Sequence, residues 1–194
     1  MIVEPIGVVK SPVAQTMDEN WGNVLSEIHL APNLAPGLTG IDQFHYIIVV
    51  FHMHKASFDP KRDLIRRPQG RPDMPEVGIF AQRAKHRPNP IGMTAVQLTK
   101  VDANVLTVRG LDAVDGTPIL DIKPYYPAFD RIEVPRSPEW VGRLMEKYFS
   151  LEIEPDEVVE GGRERLCASH EKDRNLSVEI ETVKKNSVKF RIKI

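Results

Sequence analysis

From His45 to Met53 the chain reads His-Tyr-Ile-Ile-Val-Val-Phe-His-Met, nearly continuous β-branched and aromatic residues. Branching at Cβ restricts χ1 against a helical turn, and a run this apolar suits a strand covered on both faces. It predicts the centre of a sheet. Sixteen prolines against twelve glycines break the remainder into short extended runs joined by loops, which argues against a helical bundle. Ile2–Lys10, Val24–Leu30, Val77–Ala81, Gly92–Val101, Val105–Gly110 and Pro118–Ile122 read as further strands, with turns at Leu38–Asp42 and Asp102–Asn104. Six to seven short strands at this spacing predict a mainly β fold, a small β-barrel or a sandwich.

Helix is sparse. Ser137-Pro138-Glu139 reads as an N-cap, a proline at the first helical position and an acid in the first turn. Trp140, Val141, Leu144, Met145, Tyr148 and Phe149 then recur on one face, predicting a peripheral helix packed on the domain. Glu152–Arg165 reads as an acidic connector and Ser177–Ile194 as a hairpin through Lys184–Ser187. The expected division is residues 1–135 as the barrel domain and residues 136–194 as helix plus a C-terminal extension ending in that hairpin.

With 194 residues there is room for one well-buried domain and an appendage. No run of apolar residues is long enough to cross a membrane, and the first residues carry neither a basic n-region nor a cleavage site, so a cytoplasmic location is expected. Cys167 is the only cysteine, which excludes an internal disulfide. His52 and His54 lie two apart, hence on one face of a strand, but no third ligand follows them and no metal is expected. There is no Gly-x-Gly-x-x-Gly, P-loop, Gly-x-Ser-x-Gly or His-Glu-x-x-His, which removes the usual support for dinucleotide oxidoreductases, nucleoside triphosphatases and serine hydrolases.

The net charge is −1, so a polyanionic partner must be met by a local patch. Basic residues concentrate in Lys61–Arg71 and Arg83–Arg87; the proline-rich stretch Phe58–Pro75 that holds the first group reads as a long extended loop, of a length that is usually functional or disordered. The second group ends in Pro88-Asn89-Pro90, where two fixed φ angles stiffen a cationic segment beside a strand end. That arrangement either presents positive charge to an anion or a carboxylate, or is a basic surface turn. Asp112, Asp115 and Asp121 surround a tight Asp115-Gly116 turn, either as acceptors for hydroxyls or as solvated acids of a hairpin.

Pro5–Pro12, Gly37–Asp42, Phe51–His54, Arg67-Pro68, Gly78–Ala81 with Arg83, Arg87-Pro88-Asn89-Pro90-Ile91-Gly92, Asp115-Gly116-Thr117-Pro118 and Asp121–Tyr125 follow one another as in the TsaA-like (YaeB/TrmO-type) family, which residues 1 to 130 resemble. The resemblance implies a homodimeric β-barrel that binds S-adenosylmethionine near the subunit interface. It also implies a tRNA methyltransferase acting on N6 of threonylcarbamoyladenosine at position 37, in the anticodon loop. Carried over by position, His54, Lys55, Phe80, Ala81, Arg83, Met93, Asp112, Asp115, Gly116, Thr117 and Pro118 would line the cofactor. Arg67, Arg71, Arg87, Asn89, Lys123 and Tyr125 would meet the substrate. No base is evident, and Asp42, His86 and Asp121 are the candidates. A non-catalytic adenosyl-ligand sensor, or a methyltransferase for another nucleoside or a small molecule, are the alternatives. The family's Thr-Arg-Ser before Arg-Pro-Asn-Pro is here Gln82-Arg83-Ala84-Lys85-His86, which keeps the arginine, and Thr16–Trp21 offers no equivalent of the family's early cofactor loop.

Overall fold

The structure, a computed structural model, describes residues 2–149 and the backbone of residues 178–179 and 191–192. In chain order its strands are β1 (Gly7–Lys10), β2 (Leu25–Leu30), β3 (Tyr46–His52), β4 (Ile65–Arg66), β5 (Val77–Gly78), β6 (Ile91–Asp102), β7 (Val105–Arg109), β8 (Pro118–Pro124), β9 (Val178–Glu179) and β10 (Arg191–Ile192). Helices are α1 (Pro60–Asp63), α2 (Pro127–Asp130) and α3 (Glu139–Met145), with short 3-10 turns between strands. Contacts divide the chain into two compact units, Met1–Ile153 and Glu154–Ile194, and α3 falls in the first. No helix among the described residues is long and apolar enough to cross a membrane.

The first unit is a closed barrel of six antiparallel strands in the order β1-β2-β7-β6-β3-β8. Closure leaves no unpaired sheet edge. Side chains alternate along each strand: Ile47, Val49 and Phe51 of β3 point inward with Val96 of β6, Leu106 and Val108 of β7, Ile28 of β2, Val9 of β1 and Ile119 of β8. Each such aliphatic burial contributes roughly 1.5–3 kcal/mol. β3, expected at the sheet centre, pairs with β6 along its whole length and with β8 on its other side. Its outward residues are half-buried or exposed, so only one face is fully covered.

Three expectations change. The stretch Phe58–Pro75 is a folded excursion, in which β4 pairs with β5, and Met74 and Asp63 are buried. The expected strand Val77–Ala81 stops at Gly78 and turns into a 3-10 turn over Ile79–Ala81, whose Phe80 is 78% exposed. α3 starts one residue later than Ser137 would cap: Pro138 holds the N-cap position with extended φ/ψ, and no side chain caps the helix. In the second unit β9 and β10 pair antiparallel, Val178 with Ile192 and Glu179 with Arg191. The connector Glu152–Arg165 and the turn Lys184–Ser187 lie outside the described residues.

Candidate active site

At one end of the β3–β6 pair the ladder runs on past the strands. His52 faces Ile91, and the Met53 amide donates to the Pro90 carbonyl at 2.7 Å. The Pro-Asn-Pro segment is thereby the lead-in to β6, closed by the Ile91 amide on the Asn89 carbonyl at 2.8 Å. Gly92 follows because a Cβ there would lie 2.3 Å from the Phe51 ring. Arg87 donates back to the Gln82 carbonyl at 3.3 Å, and the buried Gln82 amide holds the carbonyls of Arg66 and Val77 at 2.9 Å each. The cationic segment is a built loop.

Arg83 donates to the Met93 carbonyl. The neighbouring Thr94 hydroxyl donates to Asp112 Oδ1, and Tyr148 Oη donates to Asp112 Oδ2 at 2.8 Å. Burial, and then the negative charge of Asp112, push the Tyr148 phenol far above its ordinary range, while Arg83 acts in the opposite sense on the same phenol. Arg83, Met93, Thr94, Asp112 and Tyr148 thus form one cluster.

Thr16–Trp21, to which no contacts could be assigned from sequence, and the two residues before them are held at several points. Lys55 Nζ donates to the Ala14 carbonyl at 2.7 Å, and Lys85 Nζ to Thr16 Oγ1 at 2.8 Å. The amides of Asn20 and Trp21 donate to the carbonyls of Lys147 and Tyr148, each at 2.9 Å. Trp21 is buried as a core aromatic, its indole N–H on the Met17 carbonyl at 3.1 Å. Behind Lys55, His54 Nδ1 is buried without a partner, and desolvation followed by the charges of Lys55 and His52 lowers its pKa. His86 Nδ1 lies 2.6 Å from the Ser57 carbonyl and 3.3 Å from the Ser57 amide, so both backbone groups of Ser57 meet the ring at that one nitrogen.

Other expected site residues sit elsewhere or are engaged. Asp115 accepts from the Ser11 amide at 3.1 Å, and the Gly116 amide donates to Val9, so the Asp115–Pro118 turn, with Gly116 at φ +77° and Thr117 buried, is bound to β1. Asp115 there lines a cleft with Lys10, Ser11, Leu25, Glu27 and Thr107. Phe80 and Ala81 are exposed on their turn. Arg67 donates to Met74 and faces Glu76 at 3.8 Å, while Arg71 grips Asp73 with two nitrogens. Asn89 is exposed; Lys123 pairs with Asp121 at 2.6 Å on the outer face of β8, and the Tyr125 amide donates to Tyr46. Asp42 precedes β3, at the opposite end of a strand about 20 Å long from His52. Among the described residues no three of His, Cys, Asp and Glu converge as metal ligands would.

The tRNA-methyltransferase O N-terminal domain family matches residues 14–131 of this barrel, from the strapped loop to the end of α2. The chain belongs to that family. It is 42% identical over 134 residues to the S-adenosyl-L-methionine-binding protein of Archaeoglobus fulgidus, a match that covers 67% of this chain and 93% of that protein. To the tRNA (adenine(37)-N6)-methyltransferase of Escherichia coli it is 39% identical over 135 residues, covering 64% of this chain and 57% of the enzyme. A crystal structure of TrmO from Pseudomonas aeruginosa superposes with a TM-score of 0.59 at 31% identity, covering 72% of this chain and 61% of that one. The chain therefore spans less than two thirds of the length of these last two members of the family. The residues matched by the family model end at 131, short of Tyr148.

Proposed function

We propose that this chain is an S-adenosylmethionine-dependent methyltransferase of tRNA, acting on N6 of adenine 37, with threonylcarbamoyladenosine as the modified form it methylates. The observation that carries this reading is that Arg83, bonded to the Met93 carbonyl just past Arg-Pro-Asn-Pro-Ile-Gly, shares one cluster with an Asp112 carboxylate held by Thr94 and Tyr148. The donor set suits the cofactor. A guanidinium meets its carboxylate, a carboxylate with acceptor sites to spare meets its ribose diol, and the orphaned His54 Nδ1 is a buried polar atom awaiting a partner. Exposed Met93 and Phe80 offer apolar cover. S-adenosylmethionine brings a methyl group already activated on a sulfonium, so the protein's task is alignment and exclusion of water.

N6 must shed a proton as its bond to the methyl carbon forms and the sulfonium bond breaks. Of the three candidate bases His86 fits best, because Ser57 holds its ring at Nδ1 and no described bond uses Nε2, which is the acceptor in this reading. Asp121 is paired to Lys123 and Asp42 lies at the far end of β3. Arg87, whose one described side-chain bond is to a carbonyl, suits the threonyl carboxylate. Cations with no carboxylate partner among the described residues, such as Lys61, Lys85 and Arg87, suit the phosphates of the anticodon loop.

The chain works as a homodimer in this reading. Tyr46, Ile48 and Val50 of β3 and Ile91, Met93 and Ala95 of β6 share the outer side of the barrel, an apolar face next to Arg83. A binding-only role is favoured by one observation, the match to 93% of a relative named for binding alone. One experiment separates the two: transfer of labelled methyl from S-adenosylmethionine to tRNA purified from a strain lacking the modification. Label in adenine 37 is expected; binding without transfer overturns the enzymatic reading.

A further inference from the structure

We propose that Tyr148 is a positioning residue of the S-adenosylmethionine site: its hydroxyl fixes the Asp112 carboxylate so that the acceptor sites left on that carboxylate meet the ribose diol. The proposal rests on the cofactor reading above. Asp112 is held at both oxygens, by Thr94 on one and by Tyr148 at 2.8 Å on the other. An ionised carboxylate has about four acceptor sites, so one remains on each oxygen. A carboxylate already clamped at both ends loses little rotational freedom when a ligand arrives, and that saving appears as affinity.

Tyr148 is itself fixed. Its amide donates to the Met145 carbonyl at 3.1 Å, its carbonyl accepts from the Trp21 amide at 2.9 Å, and the Phe149 ring meets its own edge-on at 4.9 Å. A phenol that stays protonated remains a donor across the whole working pH range. Arg83 and Asp18 both lie within electrostatic reach of it, which puts the hydroxyl in the cluster and not on the outer surface of α3. Tyr148 stands in the turn after α3, outside residues 14–131, so the family match does not include the clamp.

The test uses the full chain and calorimetric binding of S-adenosylhomocysteine and of its 2′,3′-dideoxy analogue. Tyr148→Phe is expected to weaken the first about tenfold, the loss of one hydrogen bond to a charged group, and to leave the second unchanged. Asp112→Asn combined with Tyr148→Phe should weaken binding no further than Asp112→Asn alone. In the unmodified protein, ligand binding should slow amide hydrogen exchange across residues 146–149, a readout that needs no variant to fold. Equal weakening of both ligands by Tyr148→Phe, or unchanged exchange at 146–149, overturns the proposal and leaves the cofactor reading standing. Absence of any binding by the unmodified chain overturns both.

Discussion

Gly92 and Phe51 compete for one volume inside the barrel: the Phe51 ring lies where a Cβ on residue 92 would stand. The glycine of Arg-Pro-Asn-Pro-Ile-Gly is therefore a packing requirement of β3 against β6, as well as part of a motif. Gly92→Ala should destabilise by about 1–3 kcal/mol, as overpacked cores do, and Gly92→Ala with Phe51→Leu should recover part of that loss. Chemical denaturation of the three proteins decides; an unchanged midpoint for the single variant would sink the packing argument.

Arg83→Ala should leave the fold intact and weaken S-adenosylmethionine binding roughly ten- to a hundredfold, the range expected for losing a charge-assisted bond. Arg83 is exposed and its described bond is to the Met93 carbonyl, so little core packing depends on it. Calorimetry and circular dichroism on the same sample distinguish a lost ligand contact from a lost fold.

Asp63 is fully buried, accepts two bonds from Arg62 and one from the Asp59 amide at 2.8 Å, and its carboxyl is held far below the usual carboxylate range by Arg62 first and that amide second. A folded pKa below the unfolded one stabilises above the unfolded value, near 3.8, and that stability fades as pH falls toward the folded value. Asp63→Asn should lower the unfolding midpoint at pH 7, and its difference from the unmodified chain should shrink steadily below about pH 4. A difference that stays constant with pH would remove the ionised carboxylate from the explanation.

For tRNA, compensated and uncompensated cations should behave differently. Arg71 is neutralised by Asp73, whereas Lys61 has no carboxylate partner among the described residues. Lys61→Ala should reduce the slope of log K against log salt by about 1, and Arg71→Ala by clearly less. Equal slopes for both would show that the local ion pair opens on binding.

Ala95→Arg places a charge at the middle of the outer β3–β6 face, opposite Ile48. If that face joins two copies, the variant should sediment as a monomer at concentrations where the unmodified chain is a dimer. A monomeric unmodified chain removes the dimer altogether.

Much of the barrel was legible because alternation and β-branching are local: β3, β6 and β7 fall within a residue or two of their expected limits. The excursion between residues 58 and 75 was not, since prolines read as extended chain while the turn depends on Asp63 and on pairing of Ile65 with Gly78. Arg83 was legible as part of a cationic motif; its bond to the Met93 carbonyl was not. The bond from Tyr148 to Asp112 was not legible either, because the aromatic ring fits the apolar stripe expected of the helix and its partner is 36 residues away in the chain. Lys55 and Lys85 stood in the sequence as free cations; only folding brings residues 14–16 under them.

The amides of Asn20 and Trp21 end on carbonyls of Lys147 and Tyr148. A fragment cut at residue 131, where the family match stops, would leave both amides without those acceptors, one of them on a buried tryptophan. The smallest piece of this chain worth expressing for ligand work therefore runs through Phe149, and shorter versions should be judged first for proteolysis between Met17 and Trp21.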